Sequence, residues 1–472
     1  MRDMVAVLGA ETPSGRAVAK KLRAERYCCK LLHSGVSARE VAALDPAGVL
    51  LAGEESEGAQ VPDPEILSLR VPVLALGSSA RSLCAVAGRR TSGEAIVQSV
   101  VPVRYASSPL FEDIGPGERW IGHAEPFLLP EPYRAIAEVD GYPVAFADEG
   151  AQHYLLQFQI ERNDPDGIAI LLAFAGGVAG CTAWWSPESI VAEAEKTIKA
   201  AVGEGYAICA MSGGLDSTVA AVLAKRVLGE RLLCIYVDTG LMRKGETEEI
   251  VHYFQDVLSL RFVRVDASGP ILRALAGLTE ARDKWRVIDN EISRALMEEA
   301  EKLPGEKSFI RGTNYVDVVG DARDAVPARQ ERAVEPLREL FKDEIRMIGE
   351  YLQLAPSVLS RQPFPGMGLA ARVHGNVTAA RLTMLRTADA IFTDELMESG
   401  QDRRLTRYFA MLDEIGGRDT IVLRATNGME PQMSVARLPY DLLERTVARI
   451  QKALPSVARV LYDMTPGMAE WP

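Results

Sequence analysis

The chain has 472 residues, of which 47% are hydrophobic and 25% charged, a composition typical of a globular protein with two to four domains. Its 53 basic and 65 acidic residues give a net charge of −12, which excludes a broad basic surface for nucleic acid or an anionic membrane but not a local phosphate pocket. Six scattered cysteines and five histidines lack the spacing of a disulfide framework or a metal cluster. We see no signal-peptide pattern and no run of roughly 18 apolar residues, and therefore expect a cytoplasmic enzyme.

The first 180 residues alternate short apolar runs with amphipathic stretches, of which residues 14–26 are predicted to form a helix. Short strands are predicted throughout this segment, at residues 5–8, 49–52, 71–76, 142–146 and 154–158. Strands that alternate with helices indicate a parallel sheet covered on both faces.

A glycine-rich stretch at Gly176 indicates a boundary, after which a helix at residues 186–202 leads into a second α/β unit. The strands predicted in that unit are residues 206–210, 232–237 and 261–265. A third segment has predicted helices and strands at residues 378–399, 420–425, 439–454 and 457–462. The sequence therefore predicts an α/β protein of three domains, at residues 1–180, 186–361 and 362–472.

The most specific motif reads S-G-G-L-D-S-T, at residues 212–218, between a predicted strand and a helix. Gly213 and Gly214 let the backbone approach a phosphate, and the neighbouring hydroxyls can hydrogen-bond its oxygens. A helix that begins near Ser217 directs free N–H groups and its positive end at the anion. Asp216 is a candidate Mg²⁺ ligand. The alternative is a serine-glycine turn that only caps the helix, and the spacing is not that of a Walker A loop.

This motif resembles the PP-loop of the N-type ATP pyrophosphatases, which cleave ATP to AMP and pyrophosphate. Further motifs make the chain similar to the GMP synthetases: V-D-T-G-L-M-R-K-G-E at residues 237–246, V-D-A-S at 265–268, E-P-L-R-E-L-F-K-D-E at 335–344 and R-Q-P-F-P-G at 361–366. Two late motifs, at residues 436–445 and 460–463, resemble that family's dimerisation domain. The resemblance implies a homodimer that uses ATP and Mg²⁺.

The resemblance also implies roles for individual residues. ATP binding is expected from Ser212, Gly213, Gly214, Asp216, Ser217, Thr218, Val237 and Gly312. Lys342 and Asp343 stand where the family contacts pyrophosphate and Mg²⁺, so we expect them, with Asp216, to be catalytic, and Asp216 and Asp343 to hold the metal. The alternative for Lys342 and Asp343 is a solvated charge pair on a helix face. Acceptor contacts are expected from Thr313, Arg361, Pro365, Gly366 and Arg372.

The first domain resembles a class I glutamine amidotransferase with a flavodoxin-like sheet, but its catalytic residues are missing. Gly77 stands at the position of the cysteine nucleophile and Gln159 at that of the histidine, so only Glu161 remains of the catalytic set. Gly53-Glu54 replaces two glycines of the oxyanion segment, where a carboxylate opposes a developing negative charge. Ser78 and Ser79 are inert without a base. We expect no glutaminase activity.

The acceptor region also departs from the family. A glycine-rich loop containing His-His-Asn-Val-Gly-Gly is replaced by a short stretch at residues 317–335, and the ending K-P-P-A-T-I-E-W-E by T-P-G-M-A-E-W-P at 465–472. Arg311 replaces a glutamine, and Asp289-Asn290 a Gly-Arg pair. Either XMP still binds, held by Arg372 and loop residues, or the acceptor is different. Each lost charge-assisted contact costs about 1.5–3 kcal/mol, which favours a different acceptor.

These features predict an enzyme that adenylates a carbonyl oxygen of a purine-like nucleotide, XMP or a relative, and replaces it with ammonia or another small nucleophile. One alternative is an adenylating enzyme whose nucleophile is sulfur or a larger amine, although no cysteine is obviously placed for sulfur transfer. Another is a non-catalytic paralogue that binds nucleotide and regulates or scaffolds a partner. The complete PP-loop argues against this paralogue, and the altered acceptor region argues for it.

Overall fold

The computed structural model describes residues 3–53, 61–112, 114–160, 165–319, 332–361, 364, 366–428 and 434–465. The chain divides into two compact units, Met1–Ile190 and Val191–Pro472. The division into three domains stays a prediction, with the second and third of them largely inside the second unit. No helix in the described part of the chain combines the length and apolar character needed to cross a membrane.

The first unit is built on a nine-stranded sheet with a separate two-stranded pair. Its strands are β1 (Val5–Leu8), β2 (Cys29–Leu32), β3 (Gly48–Gly53), β4 (Val73–Leu76), β5 (Arg89–Arg90), β6 (Ile96–Tyr105), β7 (Gly117–Ala124), β8 (Phe127–Leu128), β9 (Arg134–Val139), β10 (Tyr142–Asp148) and β11 (His153–Leu156). Its helices are α1 (Pro13–Ala24), α2 (Ala38–Ala43), α3 (Gly77–Ala87) and α4 (Pro165–Leu172), and α5 (Pro187–Val202) begins in this unit.

Half of this sheet is parallel, as predicted, and half is not. Strands β2, β1, β3, β4 and β11 pair in parallel, whereas β10, β9, β6 and β7 continue the sheet antiparallel. β1, β3 and β4 are buried along their whole length, which explains their continuous apolar runs. β6 and β7 mix exposed and buried positions, and the sequence-based prediction missed them.

The described residues of the second unit form two sheets. Its strands are β12 (Tyr206–Ala210), β13 (Leu232–Asp238), β14 (Phe262–Asp266), β15 (Lys307–Ile310), β16 (Ala333–Val334), β17 (Arg407–Glu414), β18 (Asp419–Asn427), β19 (Ser434–Val435) and β20 (Arg459–Tyr462). Its helices after α5 are α6 (Leu215–Leu228), α7 (Glu246–His252), α8 (Ser268–Ala274), α9 (Ala281–Ala300), α10 (Tyr315–Val319), α11 (Lys342–Tyr351), α12 (Pro356–Leu359), α13 (Ala379–Glu398) and α14 (Tyr440–Ala453).

The larger sheet is parallel, in the order β14-β13-β12-β15-β16, and the smaller has β18 between β17, β19 and β20. One hydrophobic core joins both, including Ile208 of the first sheet, Leu423 of the second and Phe392 of α13. The α/β class predicted from the sequence is confirmed.

The order of the parallel strands determines where a ligand crevice opens. From β12 the chain passes outward to β13 and β14, and later returns to the other side of β12 with β15 and β16. The carboxyl end of β12 is therefore a topological switch point, where α/β proteins bind ligands. The S-G-G-L-D-S-T segment lies directly there, between Ala210 at the end of β12 and the first turns of α6.

Candidate functional site

The loop after β12 is braced by its own hydroxyl groups. Gly213 has φ of +80°, a backbone conformation that favours glycine. Ser212 Oγ lies 3.0 Å from Ser217 Oγ and accepts from Gly214 N at 3.3 Å. Thr218 is fully buried and donates to the Gly214 carbonyl at 2.8 Å. Thr218 therefore holds the loop in shape, and the Ser212 hydroxyl and the N-terminus of α6 remain at its open side.

A cavity of about 510 Å³ opens on this loop. Of the residues predicted to bind ATP or acceptor, or to act in catalysis, its lining includes Ser212, Gly213, Gly214, Asp216, Ser217, Val237, Lys342, Arg361 and Gly366. The lining does not include Thr218, Gly312, Thr313, Asp343 or Arg372. The volume is that of a pocket for a ligand of nucleotide size, and the lining combines apolar strand residues with a polar loop.

Sequence reasoning missed part of this cavity. Ile292 and Leu296 of α9 line it, together with Tyr236 and Phe364. An apolar pair on an amphipathic helix gives no signal that distinguishes a cavity wall from ordinary core. Glu246 also lines the cavity, and its place at the end of the V-D-T-G-L-M-R-K-G-E motif was a signal that could have been used.

Asp216 lies at the polar edge of the cavity and has a cationic partner. Its Oδ2 accepts from Lys342 Nζ at 2.5 Å and from Asn314 Nδ2 at 3.2 Å. Its Oδ1 is buried and has no hydrogen-bond partner within the described residues. A buried carboxylate oxygen left without a donor fits a Mg²⁺ ion, which takes one or two carboxylates and completes its shell with phosphate oxygens and water. Asp343, the second predicted metal ligand, is exposed on α11 outside the cavity lining.

Gly312 and Thr313 lie beside the S-G-G-L-D-S-T segment, outside the cavity lining. A Cβ atom at Gly312 would lie 2.8 Å from the backbone of Asp216 and Ser217, so only glycine allows this approach of the segment after β15 to α6. Thr313 donates from Oγ1 to Glu335 Oε1 at 2.8 Å. Both residues adjoin the site without lining the cavity, and their binding roles stay predictions.

Arg372 occupies a buried position behind the cavity wall. Its guanidinium lies 3.3 Å from Asp389 and faces the rings of Phe364 and Phe409 at 5.0 and 4.6 Å. Burial lowers the pKa of this guanidinium to about 10. Phe364 lines the cavity whereas Arg372 does not, so this ring lies between the guanidinium and the cavity.

In the first unit, the turn that corresponds to a nucleophile elbow is closed. Gly77 begins α3 directly after β4, with φ of +54°. A Cβ atom at this position would lie 2.7 Å from the Gly53 carbonyl oxygen, and the two glycines form a β-bridge. Gln159 is buried and donates its backbone N–H to Trp120 at 3.0 Å. The space that a nucleophilic side chain at residue 77 would need is taken by backbone.

Two described titratable groups of this unit, His153 and Cys84, are not placed to compensate. His153 begins β11 and pairs with Val73, whereas the elbow follows Leu76, three residues or roughly 10 Å further along the sheet. The His153 ring lies 3.4 Å from the hydroxyl of Tyr133. Cys84 is buried in α3, and burial raises the pKa of its thiol. Neither residue is placed to activate Ser78 or Ser79.

Several predictions concern residues outside the part of the chain that the structure describes. They are Glu54, Glu161, Pro365, residues 320–331 of the short stretch at 317–335, and the ending at 466–472. The roles assigned to them stay predictions.

No family model matches the chain. The GMP synthase [glutamine-hydrolyzing] of Carboxydothermus hydrogenoformans is 35% identical over 515 aligned residues that cover all of both proteins. That of Symbiobacterium thermophilum is 32% identical, over all of this chain and 99% of the relative. Among solved structures, an NH3-dependent NAD synthetase from Campylobacter jejuni covers 57% of this chain and 94% of its own at 16% identity, with a TM-score of 0.32 that supports no assignment. On the full-length sequence similarity, the chain belongs to the GMP synthase family.

Proposed function

We propose that this protein binds ATP with Mg²⁺ in the cavity after β12 and adenylates the carbonyl oxygen of a purine-like nucleotide. Ammonia or another small nucleophile then displaces AMP. The observation that carries the proposal is the complete S-G-G-L-D-S-T loop at the switch point of a parallel sheet, open to a cavity of about 510 Å³. We further propose the three-domain division, a homodimer built through the last domain, and a cytoplasmic location.

The lining residues divide the cavity into a polar and an apolar part. Ser212, Gly214 and the N-terminus of α6 would hold phosphate oxygens. Val237, with Tyr236 and Ile235 of β13, offers an apolar wall for the base. Asp216 would hold Mg²⁺, which when bound neutralises phosphate charge during the transfer.

Lys342 would change its hydrogen-bond partner from Asp216 to the phosphate groups when ATP binds. Its Nζ donates to Asp216 at 2.5 Å, but its side chain is 46% exposed and can turn. With a cation on Asp216, Lys342 would be free to pair with the phosphate oxygens. The lysine thereby supplies positive charge where the pyrophosphate leaves.

The reaction balances without any other reagent. The substrate carbonyl oxygen bonds to the α-phosphorus of ATP while the adjacent ring nitrogen loses its proton, and the bond from that phosphorus to the bridging oxygen breaks, which releases pyrophosphate. Ammonia then adds to the activated carbon, AMP departs with the former carbonyl oxygen, and the nitrogen loses a proton. Activation is needed because a carbonyl oxygen is a poor leaving group until it is esterified.

We propose that the first domain contributes no glutaminase activity. The closed turn at Gly77 and the position of His153 support this. With glutamine as the sole nitrogen donor, the purified protein should release no glutamate above background. Glutamate release that disappears in Ser78→Ala or Ser79→Ala would contradict this.

The acceptor is proposed to be a relative of XMP rather than XMP itself. The family's ending K-P-P-A-T-I-E-W-E carries a phosphate-binding lysine that this sequence lacks, and Arg372 is one of the cations that could replace it. The buried position of Arg372 therefore supports a different acceptor. We expect XMP, ammonia and ATP to react at least 100-fold below a family enzyme in kcat/KM, or roughly 2.7 kcal/mol of transition-state stabilisation.

The assay follows GMP and pyrophosphate together, with the Carboxydothermus hydrogenoformans GMP synthase as reference and Asp216→Ala as the inactive control. XMP turnover at the reference rate would return the protein to ammonia-dependent GMP synthesis. ATP binding without pyrophosphate release for any purine nucleotide would instead identify a non-catalytic paralogue. The sulfur-transfer alternative is disfavoured, since no described cysteine lines the cavity and burial raises the pKa of Cys234 to about 12.

A further inference from the structure

Arg361 connects three segments that are distant in the sequence. Its NH1 donates to the carbonyl oxygen of Gly213 at 2.7 Å, and its NH2 lies 3.0 Å from Glu246 Oε1. The other carboxylate oxygen of Glu246 accepts from the backbone N–H of Arg243 at 3.1 Å. The side chains of Arg361 and Glu246 are only 23% and 9% exposed. One guanidinium therefore links the phosphate loop to the start of α7.

The contact to Gly213 fixes the orientation of a peptide in the phosphate loop. In a trans peptide the C=O and the following N–H point in opposite directions. Holding the Gly213 carbonyl toward Arg361 therefore directs the Gly214 N–H away from it, where it donates to Ser212 Oγ at 3.3 Å. Ser212 and Gly214 are the loop groups proposed to meet phosphate. Without Arg361, this peptide can rotate and turn its carbonyl oxygen into the anion site.

Glu246 completes the arrangement by fixing the arginine. An arginine side chain without partners samples many rotamers. A guanidinium held by a backbone carbonyl and a nearly buried carboxylate is restricted to the rotamer that reaches both. Glu246 also lines the cavity, so its charge would repel a triphosphate if Arg361 did not neutralise it. The two side chains therefore form one unit, and loss of either should affect the same loop.

We propose that Arg361, held by Glu246, is a positioning residue for the phosphate loop and not a ligand of the acceptor. The inference rests on the proposed function insofar as the cavity takes ATP. It assigns the arginine of the R-Q-P-F-P-G segment to the ATP half of the site. Binding of MgATP in the absence of any acceptor therefore depends on a residue that the sequence alone associated with the acceptor.

The Glu246→Gln variant separates this role from direct phosphate binding by the sign of its effect. If Arg361 contacted the triphosphate itself, removal of a neighbouring negative charge would leave MgATP binding unchanged or tighten it. If Arg361 positions the loop, Glu246→Gln loosens the arginine and weakens binding. An acceptor ligand would leave MgATP binding unchanged in both Arg361 and Glu246 variants.

The experiment is titration calorimetry of MgATP into the full-length protein without acceptor. We expect Arg361→Met to weaken binding at least about tenfold, the lower end for loss of a charge-assisted hydrogen bond. Glu246→Gln should weaken binding about threefold or more, a smaller effect because the glutamine amide oxygen can still accept from Arg361. Arg361→Lys should not restore affinity, because an ammonium cannot span both partners. The double variant Arg361→Met with Glu246→Gln should bind no more than about twofold more weakly than Arg361→Met alone, since the pair acts as one unit.

The matched control is Arg134→Met in β9 of the first unit, which removes an arginine held, like Arg361, by a backbone carbonyl and a carboxylate, those of Ser107 and Glu149, and should bind MgATP like the unaltered protein. Thermal unfolding establishes that each variant is folded, and Arg361→Lys and Glu246→Gln decide the test if Arg361→Met is not. Unchanged or tighter binding in Glu246→Gln would overturn the inference. Failure of the unaltered protein to bind MgATP would overturn the proposed function, and this inference with it.

Discussion

Two glycines in this protein occupy equivalent turns, each with positive φ at the carboxyl end of a buried parallel strand and before a helix. Gly77 follows β4 in the first unit with φ of +54°, and Gly213 follows β12 in the second with φ of +80°. In both places the architecture directs a turn to the edge of the sheet where ligands bind. The local backbone is therefore similar, and the turn at Gly213 faces a cavity.

The difference lies in what the turn contains. Gly77 is itself the first residue of α3, and the Gly53 carbonyl oxygen fills the space above it. Four residues separate β12 from α6 instead, and they curve around an open volume of about 510 Å³. A fold that places a crevice does not fix its chemistry, because the residues of one turn decide whether a ligand can enter.

The largest effect is expected from Gly213→Val. A Cβ atom there would lie 2.5 Å from Ile250 Cδ1 and 3.0 Å from an Arg361 nitrogen, in a backbone conformation that β-branched residues avoid. We expect MgATP affinity to fall at least about 100-fold, or roughly 2.7 kcal/mol, measured by titration calorimetry.

The control for this variant is Gly229→Val at the end of the same helix. Gly229 also has positive φ, of +56°, but nothing lies within 4 Å of its Cβ position. It therefore carries the backbone strain without the blocked loop, and should lower the unfolding temperature while leaving MgATP affinity unchanged. Equal affinity in both variants would mean that the S-G-G-L-D-S-T segment is a helix cap and not a phosphate site.

The same comparison explains how far sequence reasoning reached. The strand at residues 206–210 was predicted with its observed bounds, because its central residues are buried and its sequence is an uninterrupted apolar run. β17, at Arg407–Glu414, was missed because polar residues begin and end it. Within the site, the loop residues were found because they are consecutive. Asn314 and Ile292 were not, since only the packing of separate segments brings them to Asp216 and to the cavity.

A second prediction tests whether the closed turn can be reopened. The double variant Gly77→Cys with Gln159→His restores the residue types of an amidotransferase. Because the new Cβ would lie 2.7 Å from a backbone oxygen, the sheet edge must shift, at a cost of about 1–3 kcal/mol. We expect a lower unfolding temperature and no glutamate from glutamine.

The matched variant is Gly141→Cys, which also has positive φ, of +81°, but no atom within 4 Å of its Cβ position. The double variant should be less stable than Gly141→Cys. Glutamate production by the double variant would contradict this prediction. It would show that the turn at residue 77 accommodates a side chain and that residues 77 and 159 alone account for the missing glutaminase activity.

The smallest expected effect concerns a buried base in each unit and depends on pH. In the second unit, Lys284 is 3% exposed and donates to the Val373 carbonyl at 2.7 Å. Burial, with the nearby charge of Arg381, lowers its pKa to about 8. In the first unit, His153 is 5% exposed, and burial lowers its pKa as well.

The sign follows from which state binds more protons. An unfolded lysine titrates near pH 10.4, so between about pH 8 and 10.4 the unfolded chain holds a proton that native Lys284 has lost, and stability rises with pH. Below about pH 8 the unfavourable charge is fully present. The free energy of unfolding of Lys284→Met, relative to that of the unaltered protein, should therefore be highest below pH 8. This relative free energy should fall toward pH 10. Chemical unfolding at pH 5.5, 7.5 and 10 measures this.

His153→Gln provides the contrast, because the unfolded histidine titrates near pH 6.5 and its window lies below that value. This variant should reduce the loss of stability on acidification and leave the pH 7.5 to 10 interval unchanged, whereas Lys284→Met should change mainly the latter. The change in stability in Lys284→Met should be small. Removal of the buried charge stabilises the protein, but the Val373 carbonyl loses its hydrogen-bond donor, which offsets part of that stabilisation. A pH profile of Lys284→Met parallel to that of the unaltered protein would mean that Lys284 stays charged throughout and is solvated in place.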